Sequence, residues 1–175
     1  IKELYEGIPR GLPLTPFARP EPPQKGERRV TVEGDEDTAY LEVGYHAPAD
    51  FDPDCYPMVV LDSILAGASS FNLFGGGTSN KSSRLYKALV ETELAVGVGG
   101  GLSATVDPYL YSIVATVRQG RTLAEVERAL DAELDRAASE PVSEAELGKA
   151  IKQAKAMFAF SAESVSNLGF WYGFA

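Results

Sequence analysis

The sequence has 175 residues and a mass of 18.7 kDa, which is enough for one domain that buries a core without disulfides. Its apolar, aromatic and charged fractions of 45%, 10% and 23% exclude a disordered chain and a fibrous repeat. There is one histidine, His46, and one cysteine, Cys55. This chain alone therefore cannot provide a two-histidine metal site, a CxxC pair or a disulfide.

The acidic residues are unevenly distributed. Sixteen basic and twenty-five acidic residues give a net charge of −9, and residues 31–80 contain nine Asp or Glu but no Lys or Arg. A nucleic-acid-binding protein needs a basic stripe, whereas the arginines here are scattered over different elements, so that class is excluded. No window reaches 18 uninterrupted apolar residues, which predicts no membrane-spanning helix.

The first 27 residues differ from the rest in composition. Six of the eleven prolines lie in residues 1–23, and proline favours extended chain over helix, so residues 1–27 are predicted to be a proline-rich arm or linker. The domain proper, residues 28–175, then opens with a predicted hairpin. Its strands are 28–33 and 38–46, because apolar and polar residues alternate in both.

Two helices are predicted after the hairpin. The first starts at Asp52 and Pro53 and ends at Gly67, because glycine readily adopts the left-handed conformation of a helix cap. A Gly/Ser/Asn-rich loop follows, and the second helix is predicted to start at Ser82 or Ser83. Its apolar face consists of Leu85, Leu89 and Val90.

A second pair of strands is predicted at residues 95–103 and 110–118, and apolar and polar residues alternate in the second of them. Two capping boxes predict the closing helices; they are Thr122 with Glu125 and Ser143 with Glu146. The predicted order is therefore ββααββαα. Paired adjacent strands favour an α+β fold with an antiparallel or mixed β-sheet and helices packed on one face.

Two glycine-rich stretches fall short of nucleotide motifs. Lys81 and Ser82 follow a glycine loop, but Asn80 stands where a phosphate loop beginning at Gly75 needs its second glycine, and the loop follows a helix. Residues 97–101 miss the dinucleotide fingerprint by one position, and a strand follows where a helix is needed. Glycines at a bulge or a close strand crossing are the simpler interpretation.

Metal and nucleophile chemistry also lacks a complete motif. Asp50, Asp52 and Asp54 begin like a calcium loop, but the sixth position is not glycine and the twelfth is not a carboxylate. His46 has no second histidine with which to share a metal, and Cys55 is interpreted as a small apolar side chain. No catalytic or metal-binding residue is therefore predicted in this chain.

The segment 71–98 combines a glycine-rich loop, the string Ser-Arg-Leu-Tyr at residues 83–86 and a Leu-Ala strand entry at residues 94–95. In this it resembles the second, non-catalytic domain of bacterial pitrilysin-type zinc metallopeptidases, the inverted-zincin group that includes insulysin and the mitochondrial processing peptidase. Other strings occur in the matching order at residues 27–30, 44–49, 61–67 and 141–147. The resemblance implies a processing-peptidase-like metallohydrolase domain.

In this family, the catalytic half carries HxxEH on a helix, and zinc and the motif's glutamate activate water. This sequence has no HxxEH, so the resemblance implies a zinc-free, inactive chain whose partner is a homologous HxxEH-bearing domain or subunit holding the zinc. The two halves would close over an unfolded peptide substrate. Because the sequence begins at Ile1, we expect a fragment of a longer, soluble protein of bacterial type, cytoplasmic or periplasmic.

The resemblance also implies the residues that handle the peptide. Gly75, Gly76 and Gly77 match the glycine-rich loop, and Arg84 is the nearby cation, so these four are the predicted substrate-binding residues. The arginine and tyrosine that the family's second half often supplies are replaced by Val90 and Val96. Two alternatives stay open: a purely structural paralogue with no peptidase activity in its complex, and an unrelated acidic ligand-binding module.

Overall fold

The computed structural model describes residues 2–9, 11–12, 22–67, 81–103 and 105–174. The chain forms two compact units, residues 1–35 and residues 36–175. In the described part of the first unit, the one regular element is a short helix, α1 (Lys2–Tyr5).

The second unit contains three strands, four α-helices and one π-helix among its described residues. In chain order they are β1 (Tyr40–Ala47), α2 (Cys55–Leu65), the π-helix (Tyr86–Val90), β2 (Ala95–Leu102), β3 (Tyr109–Val117), α3 (Leu123–Ser139), α4 (Glu144–Ala162) and α5 (Val165–Phe174). The predicted α+β class is confirmed.

The described sheet is antiparallel, with β3 in the centre and β1 and β2 on either side. Alternate residues of β3 are buried, and they are Tyr111, Ile113, Ala115 and Val117. Helix α2, the π-helix and α3 pack against this face of the sheet, and α4 packs on α2. The prediction that helices cover one face of an antiparallel sheet therefore holds.

The predicted first strand, residues 28–33, is wrong. No strand precedes β1 among the described residues, and β1 pairs with β3 rather than with the preceding segment. Val30 and Val32 are each 86% exposed, so the two valines do not pack into a core as the alternation predicted. The described order after residue 36 is β, α, π, β, β, α, α, α, which corrects the predicted ββααββαα.

The predicted start and end of the first helix agree with the structure better than the first strand does. Helix α2 begins at Cys55, three residues after Asp52, whose side chain accepts from the backbone N–H of Asp54 at 2.9 Å. Gly67 has a φ of +100°, the predicted left-handed cap, and its N–H donates to the Asp62 carbonyl at 3.0 Å. The second predicted helix is only partly α-helical. Residues 84–85 have α-helical geometry, and the π-helix follows directly after them.

A buried polar contact joins α2 to the sheet beneath a glycine. The Tyr111 hydroxyl donates to Asp62 Oδ1 at 3.1 Å, and Asp62 is only 1% exposed. Burial and the Asp62 carboxylate raise the pKa of Tyr111, so its hydroxyl stays a donor.

Gly100 lies close to this hydrogen bond. A Cβ at Gly100 would lie 2.6 Å from the Tyr111 hydroxyl and 2.7 Å from the Ala66 Cβ. This position therefore requires glycine for close approach.

Gly100→Ala is expected to lower the free energy of unfolding by about 1–3 kcal/mol, because the added methyl group overpacks the contact between α2 and β2. Gly99→Ala is the matched control, since a Cβ there meets nothing within 4 Å. Urea unfolding of both variants measures the difference. Equal midpoints for the two variants would contradict the close approach at Gly100.

Candidate functional site

Of the four predicted substrate-binding residues, one belongs to the described part of the chain. Gly75, Gly76 and Gly77 lie outside the described residues. Arg84 lies in the helical turn just before the π-helix, and its side chain is 11% exposed.

Arg84 forms a bidentate ion pair with the first turn of α4. Its Nε and Nη2 donate to Oε1 and Oε2 of Glu146, both at 2.8 Å. This fork geometry matches a guanidinium to a carboxylate and makes the pair stronger than a single hydrogen bond. The hydrogen bonds raise the pKa of Arg84 and lower the pKa of Glu146.

A second acid, on α3, extends the pair into a network. Glu133 is buried, and its Oε1 lies 3.9 Å from Arg84 Nε and accepts from Arg136 Nη2 at 2.6 Å. Two arginines and two glutamates thus link the start of the π-helix to α3 and α4. Arg84 Nη1 is buried and has no hydrogen-bond partner among the described residues, and the same is true of Ser83 Oγ.

The two predicted capping boxes differ because of this network. Thr122 and Glu125 form the complete box, with the Glu125 N–H donating to Thr122 Oγ1 and the Thr122 N–H donating to Glu125 Oε2. The Ser143 hydroxyl likewise accepts from the Glu146 N–H at 3.3 Å. The Glu146 carboxylate, however, binds Arg84 instead of returning to the helix N-cap, so the second box is only half formed.

A cleft lies beside the network, between α2, the start of the π-helix and α4. Its volume is about 320 Å³. It is lined by Ser63, Ile64, Ser82, Lys87, Ser143, Ala145, Glu146, Lys149, Ala150 and Gln153. The Ser63 hydroxyl donates to the Ala150 carbonyl at 3.1 Å, which ties α2 to α4 at this cleft. We call this feature the α4 cleft.

The residues that the structure describes do not fit a zinc site. His46 lies on β1, and the described residues include no group of three or more His, Cys, Asp or Glu side chains placed to hold a metal. Cys55 is buried, and burial together with the nearby Asp50 charge raises the pKa of its thiol. The thiol is therefore a poor nucleophile. In the described parts of the chain, no helix is long and apolar enough to cross a membrane.

The comparison with protein families decides the identity of the domain. The model of the peptidase M16 inactive domain matches residues 1–154. The chain belongs to this family. The predicted resemblance is confirmed, and an inactive M16 domain agrees with a chain that has no HxxEH and one histidine. None of the curated proteins compared matches this inactive domain significantly.

Solved structures of bacterial proteins share the fold of this inactive domain. The inactive peptidase domain of a candidate zinc protease from Bordetella parapertussis matches with a TM-score of 0.63 and 28% identity, over 81% of this chain and 70% of that chain. A candidate zinc protease from Bordetella pertussis Tohama I matches with a TM-score of 0.61 and 29% identity, over 76% of this chain and 67% of that chain.

A protease from Helicobacter pylori has the same fold, with a TM-score of 0.65 and 21% identity over 77% of this chain. This inactive domain spans 30% of the length of that protease.

Sequence reasoning missed Glu146 and Glu133 as partners of Arg84. Arg84 and Glu146 are 62 residues apart, and no local pattern connects them. The Ser143 capping signal in fact assigned the Glu146 carboxylate to a different partner. The one sequence signal that could have indicated this pair is Glu146 itself. A glutamate three residues after a helix N-cap can bind either the N-cap or a distant arginine.

Arg84→Met is expected to lower the free energy of unfolding by about 2–3 kcal/mol, because Glu146 loses two charge-assisted hydrogen bonds and buried Glu133 loses a nearby cation. Arg118→Met is the control, since Arg118 pairs with Glu93 at 3.7 Å on the surface and should contribute less than about 1 kcal/mol. Chemical denaturation measures both, and similar losses would contradict a special role for Arg84 in stability.

The same pair should make stability depend on pH. The folded-state pKa of Glu146 is lowered, so its stabilising effect is fully present above its unfolded pKa and is lost as the pH falls through its folded pKa. The difference in Tm between wild type and Glu146→Gln should be largest at neutral pH and narrow below about pH 4.5. Circular dichroism melts from pH 7 to pH 3 test this. A constant difference would contradict it, and the exposed Glu144→Gln is the control.

Proposed function

We propose that this chain is the non-catalytic half of a zinc metalloendopeptidase, which walls the peptide chamber and holds an extended peptide for a partner HxxEH domain. The observation that carries the proposal is the match to the peptidase M16 inactive domain over residues 1–154, in a sequence without HxxEH. Zinc belongs to the partner in this proposal, and no chemical step is assigned to residues of this chain.

The described sheet supports a holding function. One face is packed by helices, whereas residues on the other face, such as Tyr40 and Val114, remain exposed. Strands β1 and β2 are the outer strands of the described sheet. An extended peptide can add to such an edge through main-chain hydrogen bonds, with little dependence on sequence.

Gly75, Gly76, Gly77 and Arg84 stay predicted substrate-binding residues in this proposal. Two of the three guanidinium nitrogens of Arg84 are held by Glu146, and the third, Nη1, is buried. The main contribution of Arg84 would then be to hold the start of the π-helix against α4, at the end of the segment that contains the three glycines.

Reconstitution with a catalytic half tests the proposal. The 175-residue chain alone is expected to be inactive towards unstructured peptides, with or without added zinc. The chain mixed with the HxxEH-bearing half of its own protein should cleave such peptides, and chelation of zinc should abolish this activity. Peptide cleavage by mass spectrometry and complex formation by size-exclusion chromatography are the measurements.

A correctly folded complex that stays inactive would contradict the proposal. It would favour the scaffolding alternative, in which neither half performs chemistry. Val90 and Val96, at the positions where related second halves often carry arginine and tyrosine, favour that alternative. A partner that itself lacks HxxEH would establish it directly.

A further inference from the structure

The two C-terminal helices, α4 and α5, are almost absent from the apolar core. Among the described residues, the buried apolar cluster comes from the three strands, α2, the segment around the π-helix and α3, and it includes no residue of α4 or α5. Ala150 is the one buried residue among the 19 of α4, and no described side chain of α5 is buried. Because apolar burial is the main force that docks a helix onto a domain, polar contacts carry much of the attachment here.

The described polar contacts of α4 with the rest of the domain lie near its start. Glu146 accepts from Arg84 Nε and Nη2, both at 2.8 Å, and the Ala150 carbonyl accepts from the Ser63 hydroxyl at 3.1 Å. Both acceptors lie within the first two turns of the helix. Helix α4 packs on α2, and α5 packs on α4, so α5 depends on the same attachment.

The connection between α3 and α4 has the character of a hinge. Residues 140–143 join the two helices, and the backbone is extended at both Glu140 and Ser143. Pro141 lacks an N–H donor and prevents α3 from continuing into α4. A rotation of α4 about these residues therefore breaks no helix.

Each partner in the Arg84–Glu146 pair has a second partner within reach. Glu146 is the third residue after the N-cap Ser143, the position from which a glutamate completes a capping box. Thr122 and Glu125 show the complete arrangement in this chain, with the Thr122 N–H donating to Glu125 Oε2 at 2.8 Å. On the other side, Arg84 Nε lies 3.9 Å from Oε1 of the buried Glu133 on α3.

We propose that the Arg84–Glu146 pair is a latch, and that α4 and α5 undock together from α2 when it opens. In the undocked state Glu146 completes the capping box at Ser143, and Arg84 keeps Glu133 as its counter-ion. Neither charge is then left without a partner, unlike in a substitution that removes one of the two. Undocking opens the α4 cleft, because α4 forms one of its walls. The apolar core stays intact, and the proposal does not depend on the peptide-holding function.

Thiol labelling of the 175-residue chain carrying Ala150→Cys tests the undocking. Ala150 is 2% exposed, and the native Cys55, which belongs to the core cluster, is the internal reference. Each labelling rate with iodoacetamide is divided by the rate of the same thiol in the urea-unfolded chain. The introduced thiol should then react about tenfold faster than Cys55 or more, because local opening needs less free energy than exposure of the core.

Two further variants secure this measurement. Lys152→Cys is the exposed reference on the same helix and should react at nearly the rate of the unfolded chain. Gln153→Cys, at a half-buried position that lines the α4 cleft, replaces Ala150→Cys if that variant does not fold.

Arg84→Met tests the latch. Added to the Ala150→Cys chain, it should raise the normalised labelling rate of the introduced thiol about tenfold, because two charge-assisted hydrogen bonds that favour docking are lost. The rate at Cys55 should change much less. Arg118→Met is the matched control, since its pair with Glu93 lies on the surface and away from α4.

The amide proton of Ser143 reports the second position of Glu146. In the Arg84→Met chain this proton should shift downfield and exchange with solvent about tenfold more slowly, because the freed carboxylate accepts from it. Adding Glu146→Ala should abolish both changes. The Thr122 amide, whose box is complete in the native chain, is the reference and should not move.

Three results would overturn the inference. Equal normalised rates at position 150 and at Cys55 would mean that the helices leave only when the core unfolds. Equal acceleration by Arg84→Met and Arg118→Met would mean that the pair is not the latch. A Ser143 amide that is unchanged in the Arg84→Met chain would mean that Glu146 has no second position. None of these measurements involves zinc or a partner half, so each result leaves the proposed function standing.

Discussion

Burial of the inner face of β3 is the constraint on which the second unit depends. Among the described strands, β3 alone has a partner on both sides, so β1 and β2 are held in the sheet through it. Its inward residues belong to one apolar cluster with Leu85, Leu89, Val126 and Leu130, which come from the segment around the π-helix and from α3. Each such large apolar side chain contributes about 1.5–3 kcal/mol on burial. Loss of β3 would therefore separate both edge strands and uncover the helices together.

Polar contacts then fix how the helices lie on this apolar layer. Apolar burial is not directional, whereas the hydrogen bond from Tyr111 to Asp62 sets the position of α2 along the sheet. The Arg84–Glu146 pair does the same for α4 relative to the π-helix. Both contacts are largely shielded from water. Removing one partner leaves the other buried and unpaired, and this penalty in free energy exceeds the contribution of the intact pair. These pairs therefore fix the orientation of the helices, and breaking either pair destabilises the fold.

The sequence predicted elements whose signals are local. The capping box at Thr122, the left-handed cap at Gly67 and the alternation in β3 each depend on a few neighbouring residues, and the structure has all three. The first strand of the predicted hairpin, residues 28–33, is wrong because two alternating valines do not specify a strand without a neighbouring strand to pair with. Local pattern is sufficient where the partner groups are close in sequence.

The contacts that shape the candidate site are long-range and were not predictable from local pattern. Arg84 was predicted to bind a peptide, and the structure shows a partner that this prediction did not include, a glutamate 62 residues away. The irregular π-helix that follows Arg84 also differs from the regular helix that the apolar spacing indicated. Family resemblance supplied the domain identity, whereas geometry supplied the partners of Arg84 and the cleft beside it.

The buried thiol of Cys55 makes this chain well suited to distance measurements. Cys55 is 6% exposed and its pKa is raised, so little reactive thiolate is present at neutral pH. A cysteine introduced at an exposed strand position, such as Tyr40 or Val114, would take a spin label or a fluorophore selectively, without removal of the native residue. If the chain pairs with a catalytic half as proposed, the separation between the two could then be measured in solution as a distribution of distances.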